Sequence, residues 1–151
     1  MALDTGVDAV PPATGWKLLG WLGVVPFVAL AVAVRTLDEA ASLIARDLLL
    51  GYGALILSFI GGSWWARALD PAADHGRRLA TLAMLPTLAG WAALMIGDTA
   101  GLLLLATALV AALAADGRGI LVVADPGAYL RLRFGLTATA VLSLLAAVPF
   151  G

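Results

Sequence analysis

Few residues in this chain could do chemistry. His75 is the only histidine, and it stands in "DPAADHGRR" near Asp70 and Asp74. A structural or catalytic metal site takes three or four fixed ligands. One imidazole with two loop carboxylates therefore predicts a solvated connection, not a metal centre. The chain has no cysteine, which removes thiolate nucleophiles, disulfides and Cys-based metal sites together. Arg46 and Asp47 are adjacent near one end of an apolar run. Ionisable groups in such a place are functional candidates by default, yet both can reach the interface by snorkelling. Asp98, in "IGDTAG", is expected to cap the exposed amides of the helix that follows. With no placed nucleophile, acid–base pair or metal cluster, the expectation is no catalytic residue, no cofactor and no enzyme.

Two prolines inside apolar runs raise a different possibility. Pro26 cannot donate to the carbonyl of Leu22, nor Pro86 to that of Leu82, so both helices are predicted to kink. Freed carbonyls of broken helices line substrate sites in transporters, whereas in inert bundles neighbours and water satisfy them. Pro26, Tyr52, Pro86 and Trp91 accordingly mark a candidate ligand cavity.

The elements that would carry these residues are set by composition. The 151 residues are 62% hydrophobic and 13% charged, against roughly 45–50% and about 25% for an ordinary soluble domain. The apolar residues fall into separate runs, each near the ~20 residues that cross about 30 Å of hydrocarbon. The predicted class is all-α: a compact polytopic bundle of five transmembrane helices. The spans are placed at 16–34, 43–66, 79–97, 99–115 and 132–150, in one domain covering 16–151. Residues 1–15, acidic and Pro-rich without a basic n-region, read as a disordered tail and not as a cleaved signal peptide. The end of the fourth span is open: "GILVVA" could extend that helix or lie at the interface, while Asp116 and Gly117 argue for a stop. The short "IGDTAG" predicts a tight antiparallel hairpin.

Basic residues accumulate on the cytoplasmic side of short loops. Lys17, Arg67, Arg77, Arg78, Arg118, Arg131 and Arg133 would share one side, against Arg35 and Arg46 on the other. This predicts a cytoplasmic N-terminus and an outside C-terminus. Trp16, Trp21, Trp64, Trp65 and Tyr129 then lie near the inner headgroups, where amphipathic rings settle. Together with Arg131 and Arg133, which attract anionic lipid, they are the expected interface anchors.

The stretch "LLLGYGALILSFIGGSWWARAL" mixes glycines with a greasy run. Ala54, Ser58 and Gly62 recur every four residues, with Gly51 and Gly61 close to the same stripe. A face so bare of side chains invites close approach of another helix backbone, so these five residues are the candidate packing or partner interface. A groove that admits a ligand is the alternative.

Four segments, "LLGWLGVVPF", "YGALILSFIGGSWWARAL", "RRLATLAMLPTLAGWAAL" and "AYLRLRFGLTATAVLSL", resemble in order those of the domain-of-unknown-function family 3429, which includes mitochondrial transmembrane protein 69. The resemblance runs from Leu18 to about Leu145, and its most specific piece is Tyr52-Gly53-Ala54, Ile56-Leu57-Ser58-Phe59 and Gly61-Gly62. The chain has Ala128-Tyr129 where the family tends to Trp-Tyr, and Trp65-Ala66 where it tends to Trp-Gly. The resemblance implies a small multi-pass protein of the bacterial inner or mitochondrial membrane and brings no catalytic residue. Eight Arg against one Lys, with abundant Ala and Gly, favours the bacterial inner membrane.

The functional expectation is a non-enzymatic interaction protein: an accessory or assembly subunit packed against a larger, energy-transducing membrane complex, or a homo-oligomer. The alternative is a small carrier or binding protein for a lipophile such as a lipid or quinone. A net charge of −1 gives no reason to expect nucleic acid as a partner.

Overall fold

The computed structural model describes residues 15–70, 76–120 and 125–149. Within them the chain is all-α: α1 (Trp16–Leu22), α2 (Val25–Thr36), α3 (Glu39–Ala68), α4 (Gly76–Ile96), α5 (Asp98–Asp116) and α6 (Pro126–Ala146). Five segments are long and apolar enough to cross a membrane, α1 and α2 counting as one over Lys17–Thr36. His75 and Asp74 lie outside the described residues, as do the first fourteen residues and positions 121–124 of "GILVVA". Asp70 is described, and its Oδ2 takes a 2.7 Å contact from Arg67 Nη1.

The first expected span is not one kinked helix. α1 ends at Leu22, Gly23 and Val24 turn, and Pro26 occupies the second position of α2. There its missing N–H is one of the donors a helix start leaves unpaired anyway. In α4 the helix runs on through Pro86. The second span is longer than expected. Asp38 caps it, its Oδ1 accepting from Ala41 N at 3.1 Å, and thirty helical residues follow. At 1.5 Å per residue that is about 45 Å, more than the ~30 Å hydrocarbon thickness, so its polar ends reach past the apolar layer.

α6 also differs, starting at Pro126 and not near 132. Asp125 Oδ1 accepts from Ala128 N at 2.9 Å, and proline fills the first helical position. Much of the expected juxtamembrane loop is thus helix. α5 stops at Asp116 with Gly117 as its C-cap. Asp98 does not cap α5. Gly97 holds the N-cap position with no side-chain hydrogen bond, and Asp98 is the first helical residue.

α3 is the central helix and packs on α2, α4 and α5, while α6 packs on α5, α2 and α1. The core is aliphatic, with Leu49, Leu57, Leu102, Leu105, Leu109 and Leu144 fully buried beside Phe27. Phe27 meets Tyr52 edge to face, ring centroids 5.0 Å apart. α3 and α4 approach most closely through small residues. A Cβ added at Gly61 would stand 2.5 Å from the carbonyl oxygen of Ala83, and one at Gly90 would stand 3.1 Å from Cα of Ala54. Gly61 and Ala54 therefore serve packing within the bundle. Gly51 and Gly62 have open space at the Cβ position, and Ser58 is exposed, so the expected stripe divides between an inner and an outer face. The packing face is Gly53, Ala54, Leu57, Gly61 and Trp64, all buried.

Candidate functional site

α3, α5 and α6 bring four polar side chains together at one end of the bundle. Asp116 closes α5, and its side chain is fully buried. Trp64, near the end of α3, donates from Nε1 to Asp116 Oδ1 at 2.8 Å. Arg133 donates from Nε to Asp116 Oδ2 at 2.7 Å, and the Tyr129 hydroxyl donates to the same oxygen at 3.4 Å. Tyr129 and Arg133 stand four positions apart and so share a face of α6. The Asp125 cap and Pro126 start that helix early enough to bring both onto the cluster. A buried carboxylate needs its charge matched and its lone pairs filled; here one guanidinium and two ring donors do both.

Arg133 is the incomplete member. Its Nη2 is buried without a hydrogen-bond partner. It also forms part of the wall of a half-enclosed cavity of about 610 Å³ between α1, α2, α3, α5 and α6. That volume lies within the ~300–1,000 Å³ typical of small-molecule sites. The wall is mostly apolar, including Val24, Phe27, Ile60 and Leu136, and Ser63, Tyr129, Arg133 and Thr137 supply the polar groups. The Ser63 hydroxyl is turned back onto its own helix, donating to the Ile60 carbonyl at 2.7 Å. α1 supplies Leu19 and Gly20 to this wall.

A smaller polar contact marks the opposite end. Arg46 Nη2 donates to Thr99 Oγ1 at 2.8 Å, and Nη1 lies 3.5 Å from Asp98 Oδ1. Arg46 does not snorkel free: it is half-buried across the α4–α5 hairpin, and its Nε is buried without a partner. Asp47 is exposed. Arg35 binds the end of α6, donating from Nη2 to the Val148 carbonyl at 2.9 Å. Among the described residues no three His, Cys, Asp or Glu side chains group as a metal site.

The family model described as "Protein of unknown function (DUF3429)" matches residues 12–149. The chain belongs to the DUF3429 family. No curated protein and no solved structure matches it.

In this DUF3429 protein the residues expected to line a cavity do not line the observed one. Pro26 is half-buried at the start of α2, Pro86 is buried, and Trp91 is exposed. Tyr52 donates from its hydroxyl to the Gly23 carbonyl at 2.7 Å, which ties the α1–α2 break to α3. The expected interface anchors divide as well. Trp21, Trp65 and Arg131 are exposed, and the side chain of Trp16 lies outside what the structure describes. Trp64 is 4% exposed and belongs to the core, because its indole N–H needs the Asp116 carboxylate. Tyr129 and Arg133 face the same carboxylate. The sequence does not mark Asp116 as a site residue: at the end of a greasy helix it reads as a simple stop. The available signal was its setting, a lone acid directly after an uninterrupted apolar run, with Tyr129 and Arg133 at helical spacing shortly after.

Proposed function

We propose that this DUF3429 protein acts in the bacterial inner membrane by binding a lipophilic molecule between α1–α2, α3 and α6, and carries out no covalent chemistry. The observation that carries this reading is the 610 Å³ cavity, apolar over most of its wall and polar where Tyr129 and Arg133 meet it. An apolar cleft with a few convergent polar groups is the usual form of a small-molecule site. The N-terminus is assigned to the cytoplasm and the C-terminus to the outside. In support, Lys17, Arg67, Arg118, Arg131 and Arg133 lie toward the end where α1 and α6 begin and α3 and α5 finish, while Arg35 and Arg46 lie toward the other. Photolabelling the full chain in native membranes with a diazirine-bearing alkyl probe tests the binding reading. Saturable labelling of peptides carrying Val24, Ile60 and Leu136, competed by unlabelled lipophile, is expected. Labelling confined to outward residues such as Leu55, Phe134 and Leu142 would contradict it.

A second reading, the accessory or assembly subunit of a larger membrane complex, has one observation in its favour. Gly51, Ser58 and Gly62 leave part of α3 bare on the outside, and such surfaces let a second helix approach closely. Ser58→Leu would then dissociate a larger assembly in native electrophoresis without lowering the thermal stability of the bundle.

A further inference from the structure

The lipophile reading leaves open what distinguishes one apolar molecule from another, and the polar end of the cavity answers that. Asp116 is matched in charge by Arg133, and its oxygens already accept from Trp64, Arg133 and Tyr129. The Ser63 hydroxyl is spent on its own helix. What remains is the Thr137 hydroxyl on the same wall and donor capacity on a guanidinium whose charge is already compensated: Nε is committed to Asp116 and Nη2 is buried without a partner. A buried charged donor without an acceptor is costly, so an acceptor brought in by a ligand removes that cost. A ligand anion would meet a different balance. The pair has no net positive charge to offset it, and burying an unmatched charge costs more than burying a neutral dipole.

We propose, resting on the lipophile reading, that the cavity selects uncharged apolar molecules with a carbonyl oxygen, which Arg133 binds through its free guanidinium edge. Arg133 is part of the cavity wall, but its Nη2 is closed off from that space, so the guanidinium must turn slightly about its Nε–Asp116 contact to present this nitrogen to the acceptor. Two sources share this chemistry: an alkyl-substituted quinone and a neutral acyl ester.

The test is native mass spectrometry of the full chain in mild detergent, titrated separately with a long-chain alkyl benzoquinone, a fatty acid methyl ester, the matching free carboxylate and the matching alkane. At least one carbonyl probe is expected to bind one-to-one, at least about tenfold tighter than the alkane, the range of a charge-assisted hydrogen bond. Which of the two binds identifies the source. Arg133→Lys keeps a cation beside Asp116 but lacks the second nitrogen edge, and is expected to narrow the carbonyl-over-alkane affinity ratio about tenfold. If that variant fails to fold, the ranking of the four probes on the unaltered chain decides alone. Equal binding of the alkane, or tighter binding of the carboxylate, overturns this selectivity and leaves the lipophile reading standing. Saturable binding of none of the four overturns both.

Discussion

Trp64 and Asp116 are joined across two helices by a 2.8 Å hydrogen bond from the indole Nε1 to Oδ1, with both side chains withdrawn from the surface. The contact fixes the end of α3 against the end of α5. Arg133 completes it from α6, so three helices converge on a single carboxylate. Small residues hold the α3–α4 pair, whereas this end of the bundle is organised by one ion pair and its ring donors.

Removing either charge should therefore be expensive. Asp116→Ala strands the Arg133 guanidinium, and Arg133→Met strands the carboxylate; each is expected to destabilise the bundle by about 3–5 kcal/mol. The double variant should cost clearly less than the sum, because neither charge is then left alone. Denaturation in mixed micelles measures all three. Additive losses would show that the pair is not coupled.

Neighbouring glycines on α3 should behave in opposite ways. At Gly61 a methyl group would run into the Ala83 carbonyl, while at Gly62 it would meet nothing within 4 Å. Gly61→Ala is expected to lower stability by about 1–3 kcal/mol through overpacking. Gly62→Ala should be neutral or slightly stabilising, since alanine is the better helix former. Thermal melts of the two variants in one detergent compare them directly.

The same contrast explains what was legible in the sequence. Composition and run length gave the helices, because crossing hydrocarbon requires long apolar segments that any window detects. A four-residue spacing pointed to α3 as a packing helix, but spacing alone does not tell which side of the stripe meets a neighbour. Gly61 and Ala54 turn inward, Ser58 and Gly62 outward. The buried cluster was harder still. Trp64, Tyr129 and Arg133 are typical interface residues by type, and only the position of Asp116, more than fifty residues from Trp64 along the chain, withdraws them from that role. Pro26 stands second in α2, after a break at Gly23 and Val24 where a kink within one helix is expected, and the cavity wall takes its neighbours Val24 and Phe27 but not Pro26 itself.

The α4–α5 hairpin turns through two adjacent residues of positive φ, Gly97 and Asp98. Gly97 has φ 66° and ψ −166°, a region open essentially to glycine alone. Gly97→Ala is expected to cost about 1–3 kcal/mol and to loosen the Arg46–Thr99 contact beside it. Faster amide exchange at the start of α5 would report this; unchanged exchange would place the strain elsewhere.

Tyr52 links the break between α1 and α2 to α3 through its hydrogen bond to the Gly23 carbonyl. Tyr52→Phe should cost only about 1 kcal/mol overall. Because α1 contributes Leu19 and Gly20 to the cavity wall, the variant should nonetheless raise proteolytic cleavage near Gly23 and speed ligand release. Wild-type values for both would separate α1 from the site.

Orientation can be read on the same chain, since it contains no cysteine. Leu37→Cys lies between α2 and α3, and Gly117→Cys follows α5 at the opposite end. A membrane-impermeant maleimide added to intact cells should label the first and spare the second. The reverse pattern would invert the topology.

The most direct measurement is the mass of what stays with the chain after gentle extraction from its native membrane, compared between the wild type and Ser63→Leu. Ser63 lines the cavity, and its hydroxyl bonds only within its own helix turn, so leucine fills space with little effect on the fold. A single neutral lipophile retained one-to-one by the wild type and lost from the variant is the predicted result. A wild-type chain that carries no enriched lipophile, or a variant that retains the same one in the same amount, would contradict the binding function.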